Sequence, residues 1–287
     1  MSVILVTGSS TGIGQETALH MARKGHQVYA AVRSPQTATD LRDNIAAESL
    51  PVEVIELDLL KPDTINAAVE QIVARSGRID ALVNNAGIGD GRAVEETPLE
   101  VVREIFETNY FGTVSVLRAV TPVMRKQRSG RIVNVGSLAG KVVMGCHAHY
   151  SASKWAMEGM SEALAFEMAE FNVRVAVIQP GVVLTPIWGK GEVPTEPSPY
   201  DNSMQRLGKF FEFGLNRPAM PADVATAIAH AIESDKPHFR YPVGPDAVET
   251  IAARSKVSDD EWIEANCLQG DAFADRMAEL VGVDYYR

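Results

Sequence analysis

The chain has 287 residues, 46% hydrophobic and 22% charged, the balance of a soluble globular protein with a sizeable core. A formal net charge of −10 argues against a nucleic-acid-binding surface, so an anionic ligand would need local backbone amides and a few chosen cations. Cys146 and Cys267 are too few for a disulfide framework, and no run approaches the roughly eighteen apolar residues of a membrane span; with no basic leader in MSVILVTG, a soluble cytoplasmic protein is expected.

Short β-branched runs alternate with helical patterns from residue 3 to about residue 180. The runs are Val3–Thr7, Gln27–Val32, Val52–Leu57, Ala81–Asn84, Arg131–Val135 and Val173–Gln179. Most are nearly continuously apolar, as strands covered on both faces must be. Between them, Gly14–Lys24, Pro62–Arg75, Leu99–Arg125 and Tyr150–Phe171 carry apolar residues at helical spacing, with Pro62 and Pro98 suited to first turns. A helix from Pro221 to Ser234 and a last strand at 238–244 complete the pattern. Such alternation predicts an α/β fold: a doubly wound, mostly parallel seven-stranded sheet of Rossmann type with helices on both faces.

The regularity breaks after Pro180. Residues 181–217 contain Pro186, Pro194, Pro197 and Pro199 among Gly189, Gly191 and Gly214, together with Trp188, Met204, Leu207, Phe210, Phe211 and Phe213. A stretch of this length without a sustained period predicts a functional segment, here a substrate lid over 182–217. The tail, 246–287, reads as a C-terminal extension that is helical in pieces. No linker separates a second core, so residues 1–287 are expected to form one domain.

In V-T-G-S-S-T-G-I-G the first strand delivers Gly8, Gly12 and Gly14 into a turn that opens a helix. Gly8 permits the turn, Gly12 lets the backbone approach a pyrophosphate, and Gly14 lets the helix pack on the strand. A dinucleotide fingerprint normally has a carboxylate at the end of the second strand for the ribose 2′-OH. Here that strand ends Ala30-Ala31-Val32-Arg33. A guanidinium grips a 2′-phosphate where a carboxylate would repel it, and Ser10 and Thr11 adjoin, so NADP(H) is expected in preference to NAD(H).

Tyr150 and Lys154 fall one helical turn apart and share a face. A free phenol, with a pKa of about 10, is a poor base at neutral pH, and a nearby ammonium is expected to lower it into a working range. Ser137, after the strand Arg131–Val135, supplies a hydroxyl to polarise a substrate oxygen.

These motifs resemble the short-chain dehydrogenase/reductase family over about residues 2–245. Its glycine motif appears as Thr7-Gly8-Ser9-Ser10-Thr11-Gly12-Ile13-Gly14, its N-N-A-G element as Asn84-Asn85-Ala86-Gly87, and its third-strand acid as Asp58. Its helix asparagine falls on Asn109 and its P-G pair on Pro180-Gly181, with Thr185 beyond. The resemblance implies Tyr150 as acid/base, Lys154 as its tuner and ribose anchor, Ser137 as substrate-oxygen donor, and Asn109 as holder of a relay water. It implies a cofactor site of Gly8, Ser10, Thr11, Gly12, Ile13, Gly14, Arg33, Asp58, Leu59, Asn85, Ala86, Gly87, Tyr150, Lys154, Pro180, Gly181, Val183 and Thr185.

Cys146, His147 and His149 lack a second ligand cluster and read as pocket wall rather than metal ligands. FRYPVGPDA (239–247), SDDEWIE (258–264) and the second strand resemble the branch around 17β-hydroxysteroid and retinol dehydrogenases, which implies a bulky hydrophobic ketone or secondary alcohol. The family also implies a homodimer or homotetramer. Two other readings are a sugar-nucleotide epimerase, for which the C-terminal extension is too short, and a non-catalytic NADP(H)-sensing or scaffold protein, which would usually lose Tyr150 or Lys154.

Overall fold

The computed structural model describes residues 1–186 and 197–287. Seven strands form one sheet: β1 (Val3–Thr7), β2 (Gln27–Val32), β3 (Val52–Glu56), β4 (Ala81–Asn84), β5 (Gly130–Val135), β6 (Val173–Pro180) and β7 (Arg240–Val243). Their order is β3-β2-β1-β4-β5-β6-β7. Every neighbouring pair is parallel, so the sheet is wholly rather than mostly parallel. The chain winds outward from β1 to β3 and returns to β4 on the other side, which opens a crevice at the carboxyl ends of β1 and β4.

Side-chain alternation along the strands divides the core into two layers. Ile4 and Val6 of β1 pack with α1 (Gly12–Arg23), α2 (Thr39–Glu48) and α8 (Pro221–Glu233) on one face. Val3 and Leu5 pack with α3 (Pro62–Ser76), α5 (Thr113–Gln127) and α6 (Ala148–Ala169) on the other. Ile4, Leu5, Leu82 and Ile132 are fully buried, each contributing on the order of 1.5–3 kcal/mol of transfer free energy.

Three local departures from the sequence expectation have physical reasons. The helix expected over Leu99–Arg125 is α4 (Leu99–Phe106) and α5 joined by a π-helical turn, Glu107–Gly112. That turn packs on the loop after β3, where a Cβ on Gly112 would lie 2.7 Å from Leu59 Cβ. Helix α2 was not expected; only Leu41 of its ten residues is buried, so it carries almost no apolar period. The stretch expected to lack a period contains α7 (Asp201–Asn216), which buries Leu207, Phe210 and Gly214. Trp188, Gly189, Gly191 and Pro194 lie outside the described residues.

The C-terminal extension comprises α9 (Pro245–Arg254), α10 (Asp259–Cys267) and α11 (Gly270–Val281). It backs α7: Phe210 stacks on Tyr285 at 5.1 Å, and Arg206 donates to the carbonyls of Asn266 and Leu268. Lys209 Nζ donates to the Tyr286 carbonyl at 2.8 Å. Helix α7 is thus held from behind by the last residues of the chain.

Candidate active site

The glycine turn follows directly from β1. Gly8 and Gly12 have φ of 68° and 61°, a backbone region that L side chains rarely adopt. A Cβ at Gly8 would lie 2.8 Å from Ala86 Cα, and one at Gly14 would lie 2.5 Å from Asn85 Nδ2 and collide with the Gly8 carbonyl oxygen. The turn is therefore pressed against the loop after β4. Helix α1 begins with no side-chain cap on Thr11 and no acid in its first turn, which leaves its amides and positive end free for phosphate. These features fit a dinucleotide.

Ser9 N donates to the Ala31 carbonyl at 3.1 Å, which holds the turn beside the end of β2. Arg33 lies just beyond, exposed, with no ion pair among the described residues; Ser10 and Thr11 are exposed nearby. Leu57 N donates to the Val32 carbonyl at 2.9 Å, so Asp58 and Leu59 follow next to Arg33. Asp58 accepts from Leu60 N at 3.1 Å, and its carboxylate is 3.6 Å from Lys61 Nζ.

The loop after β4 is fixed by Thr7, whose hydroxyl accepts from the amides of Asn85 and Ala86 at 3.0 and 3.2 Å. Asn85 Nδ2 donates to the Thr7 carbonyl at 3.0 Å. Buried Asn109 in the π-helical turn then clamps Ile88: its Oδ1 accepts from Ile88 N and its Nδ2 donates to Ile88 O, both at 2.8 Å. The second amide hydrogen goes to Ser153 Oγ at 3.0 Å. A Cβ on Gly87 would lie 3.1 Å from Asn109 Oδ1 and 3.6 Å from Lys154 Nζ, so this loop joins the glycine turn to α6.

Tyr150 and Lys154 stand on the first turns of α6. The Lys154 ammonium is 5.7 Å from the Tyr150 ring centroid and donates to the Val135 carbonyl at the end of β5. Two residues on, Ser137 Oγ accepts from Ala139 N at 3.1 Å and lies close enough to the Tyr150 phenol to lower its pKa slightly. Burial pushes the Lys154 pKa down to about 8. Burial also raises the Tyr150 pKa, against a smaller lowering by the neighbouring Ser137 hydroxyl. The sequence suggested the opposite direction for the phenol; desolvation of phenolate outweighs the stabilisation anticipated from the lysine.

On the substrate side, the His147 ring stacks on Tyr150 with centroids 4.7 Å apart and planes at 17°. Phe211 of α7 meets His147 edge-on at 5.7 Å. The Gly89 backbone closes on the phenol, since a Cβ there would be 3.4 Å from Tyr150 Cδ2. Leu207, Cys146 and Ala93 form a buried apolar cluster alongside, with Met144, Met204 and Tyr200 packed against it. Burial raises the Cys146 thiol pKa, in keeping with a wall residue.

Beyond β6, Gly181 N donates to the Val243 carbonyl at 2.9 Å, and Val182 N donates to buried Asp246 at 2.7 Å. Val183 bridges Ala219, and Thr185 returns to the glycine turn, its Cβ 3.3 Å from where a Gly12 Cβ would stand. Gly8, Gly12, Gly14, Asn85, Ala86, Gly87, Asn109, Tyr150, Lys154 and Thr185 are thus brought together at the carboxyl edge of the sheet, with Arg33, Asp58 and Leu59 at the ends of the neighbouring strands. Gly89, the Val135 carbonyl and Asp246 were not anticipated. The first two act through backbone, which leaves no side-chain signal, whereas Asp246 was visible as an acid just inside a helix opened by Gly244-Pro245.

The crevice, the glycine turn and the Ser137–Tyr150–Lys154 cluster can be set beside known proteins. The family model for short chain dehydrogenase matches residues 2–193. A 3-ketodihydrosphingosine reductase from Bacteroides thetaiotaomicron is 36% identical over 270 residues, covering 93% of this chain and 95% of the relative. Retinol dehydrogenase 8 from Bos taurus is 34% identical over 267 residues, covering 88% and 84%. The crystal structure of a short-chain dehydrogenase from Streptomyces avermitilis superposes with a TM-score of 0.82 at 34% identity, covering 92% of this chain and 95% of its own. Sequence, topology and site geometry agree: the chain belongs to the short-chain dehydrogenase family and is an oxidoreductase.

Proposed function

We propose that the protein transfers hydride reversibly between NADP(H) and a hydrophobic ketone or secondary alcohol, with Tyr150 as the general acid/base. The observation that carries this reading is Lys154 Nζ held by the Val135 carbonyl 5.7 Å from the Tyr150 ring, with Ser137 beside the phenol and the glycine turn adjoining. When bound, the nicotinamide cofactor supplies or accepts the hydride. Gly8 to Gly14 would hold its phosphates, Arg33 with Ser10 and Thr11 a 2′-phosphate, and Asp58, Leu59 and Asn85 to Gly87 the adenosine and ribose. Pro180, Gly181, Val183 and Thr185 would border the nicotinamide end.

Ser137 polarises the carbonyl oxygen and Tyr150 donates the proton to it. The raised phenol pKa keeps Tyr150 protonated at neutral pH, which suits reduction of a carbonyl. Lys154, held by the Val135 carbonyl, would hydrogen-bond the ribose of a bound cofactor, and its charge stabilises the phenolate as the proton leaves. Asn109 positions the Ile88 segment, and the free lone pair on its Oδ1 is available to a relay water.

A lipophilic substrate is supported by the apolar wall of Leu207, Met204 and Phe211 and by relatives named for a ketodihydrosphingosine and a retinol. A homo-oligomer is supported by Phe111, Trp155 and Phe166, which expose 50%, 47% and 72% of their surface on the π-helical turn and α6. No helix among the described residues is long and apolar enough to cross a membrane; we place the protein in the cytoplasm. The test is an NADPH- and NADH-coupled screen over steroids, retinoids, quinones and simple aldehydes. Turnover with NADPH and a bulky ketone supports the reading, and a strict NADH preference overturns its cofactor assignment.

A further inference from the structure

Among the described residues, six buried side-chain polar atoms lack a hydrogen-bond partner, and three of them, His147 Nδ1, His149 Nε2 and Ser151 Oγ, flank Tyr150. Buried polar atoms are satisfied in the large majority of cases, so such a concentration beside a reacting group calls for a partner the protein does not contain. His147 has the most defined setting of the three. Its ring lies parallel to the phenol, and Phe211 closes its edge. It therefore sits between the ring of Tyr150 and helix α7.

We infer that His147 is a substrate-contacting residue whose imidazole hydrogen-bonds a hydroxyl carried on the carbon next to the reacting carbonyl or one beyond it. The preferred substrates are then hydroxyketones with an apolar remainder. This inference rests on the oxidoreductase reading above and narrows its substrate class. A hydroxyl both donates and accepts, so it satisfies either neutral tautomer of the ring. Burial holds the His147 pKa down to about 4, which keeps the ring uncharged at physiological pH. A carboxylate on the substrate would thus meet no cation here, and an ammonium would meet no anion from this ring. The 4.7 Å spacing from the phenol ring suits a group close to the carbonyl rather than at the far end of a long substrate.

The experiment compares a medium-chain methyl ketone with its α-hydroxy and β-hydroxy derivatives, reduced by NADPH with the wild type, His147→Phe and His147→Gln. Phenylalanine keeps the stack but removes both nitrogens; glutamine restores a donor and an acceptor. The wild type should favour one hydroxyketone by about tenfold in kcat/KM, the worth of a single neutral hydrogen bond. In His147→Phe the ratio of kcat/KM for the favoured hydroxyketone to that for the plain ketone should fall to about one, and in His147→Gln it should recover in part. A wild type indifferent to the hydroxyl, or a preference that survives in His147→Phe, overturns the inference. If no ketone of the set is reduced although NADPH binds, the proposed reduction of hydrophobic ketones fails, and the inference with it.

Discussion

Lys154 Nζ donates to the carbonyl oxygen of Val135 at 3.0 Å, which ties α6 to the end of β5 through a side chain that is only 4% exposed. The bond places the ammonium beneath the phenol of Tyr150 while the core desolvates it. A buried cation costs stability, and this one is retained where the proposed chemistry needs it.

The pH dependence of that cost follows from the depressed pKa. Lys154 is lowered from 10.5 to about 8. Between those values the unfolded chain binds more protons than the folded one, so this group makes stability rise with pH across that window. Below about pH 8 the penalty is constant. Relative to Lys154→Met, the wild type should gain up to roughly 3 kcal/mol as pH rises through the window. Urea unfolding in a pH series measures this; a gap that does not change with pH contradicts the burial of a protonated lysine.

Tyr150→Phe removes the proposed proton donor but little volume. Turnover should fall by about 10²–10⁴-fold, the usual worth of a general acid, with NADPH affinity within about twofold of wild type. Steady-state rates and cofactor fluorescence titration measure the two effects. Activity near that of the wild type would remove Tyr150 from the mechanism.

Arg33 is exposed at the end of β2, without an ion pair among the described residues. Losing a charge-assisted bidentate contact to the 2′-phosphate should raise the NADPH KM of Arg33→Ala by about 10–100-fold and leave NADH little changed. Adding Val32→Asp should reverse the preference towards NADH. An unaltered NADPH KM would show that the arginine is a solvated surface cation.

Gly14→Ala places a methyl group 2.5 Å from Asn85 Nδ2 and against the Gly8 carbonyl oxygen, a backbone atom that cannot yield without moving the turn. Such overpacking should cost about 1–3 kcal/mol, which in a domain of this size lowers Tm by roughly 2–12 °C. Thermal unfolding tests this, and cofactor affinity should fall in parallel. Gly25, where a Cβ meets nothing within 4 Å but φ is 85°, separates backbone strain from crowding as a control.

The sequence by itself determined the seven-stranded sheet and the order of its strands along the chain, and it singled out the side chains proposed to react and to face the cofactor. Each depends on local pattern: continuous apolar runs at Val3–Thr7 and Val173–Gln179, glycines where φ is positive, and a helical turn between Tyr150 and Lys154. Local pattern fails where burial is sparse or where a period is framed by prolines. Helix α2 has one buried residue, and α7 hides Leu207, Phe210 and Gly214 within a proline-rich stretch.

Only the tertiary structure decided the electrostatics and the partners. The direction of the Tyr150 shift depends on how much protein surrounds the phenol, which no spacing in the chain reveals. The clamp of Asn109 on Ile88, the grip of Lys154 on Val135 and the parallel stack of His147 on Tyr150 join groups whose contact is set by packing across the crevice. Side-chain type and spacing are properties of the chain; desolvation and backbone contacts are properties of the fold, because both depend on which surfaces the sheet brings together.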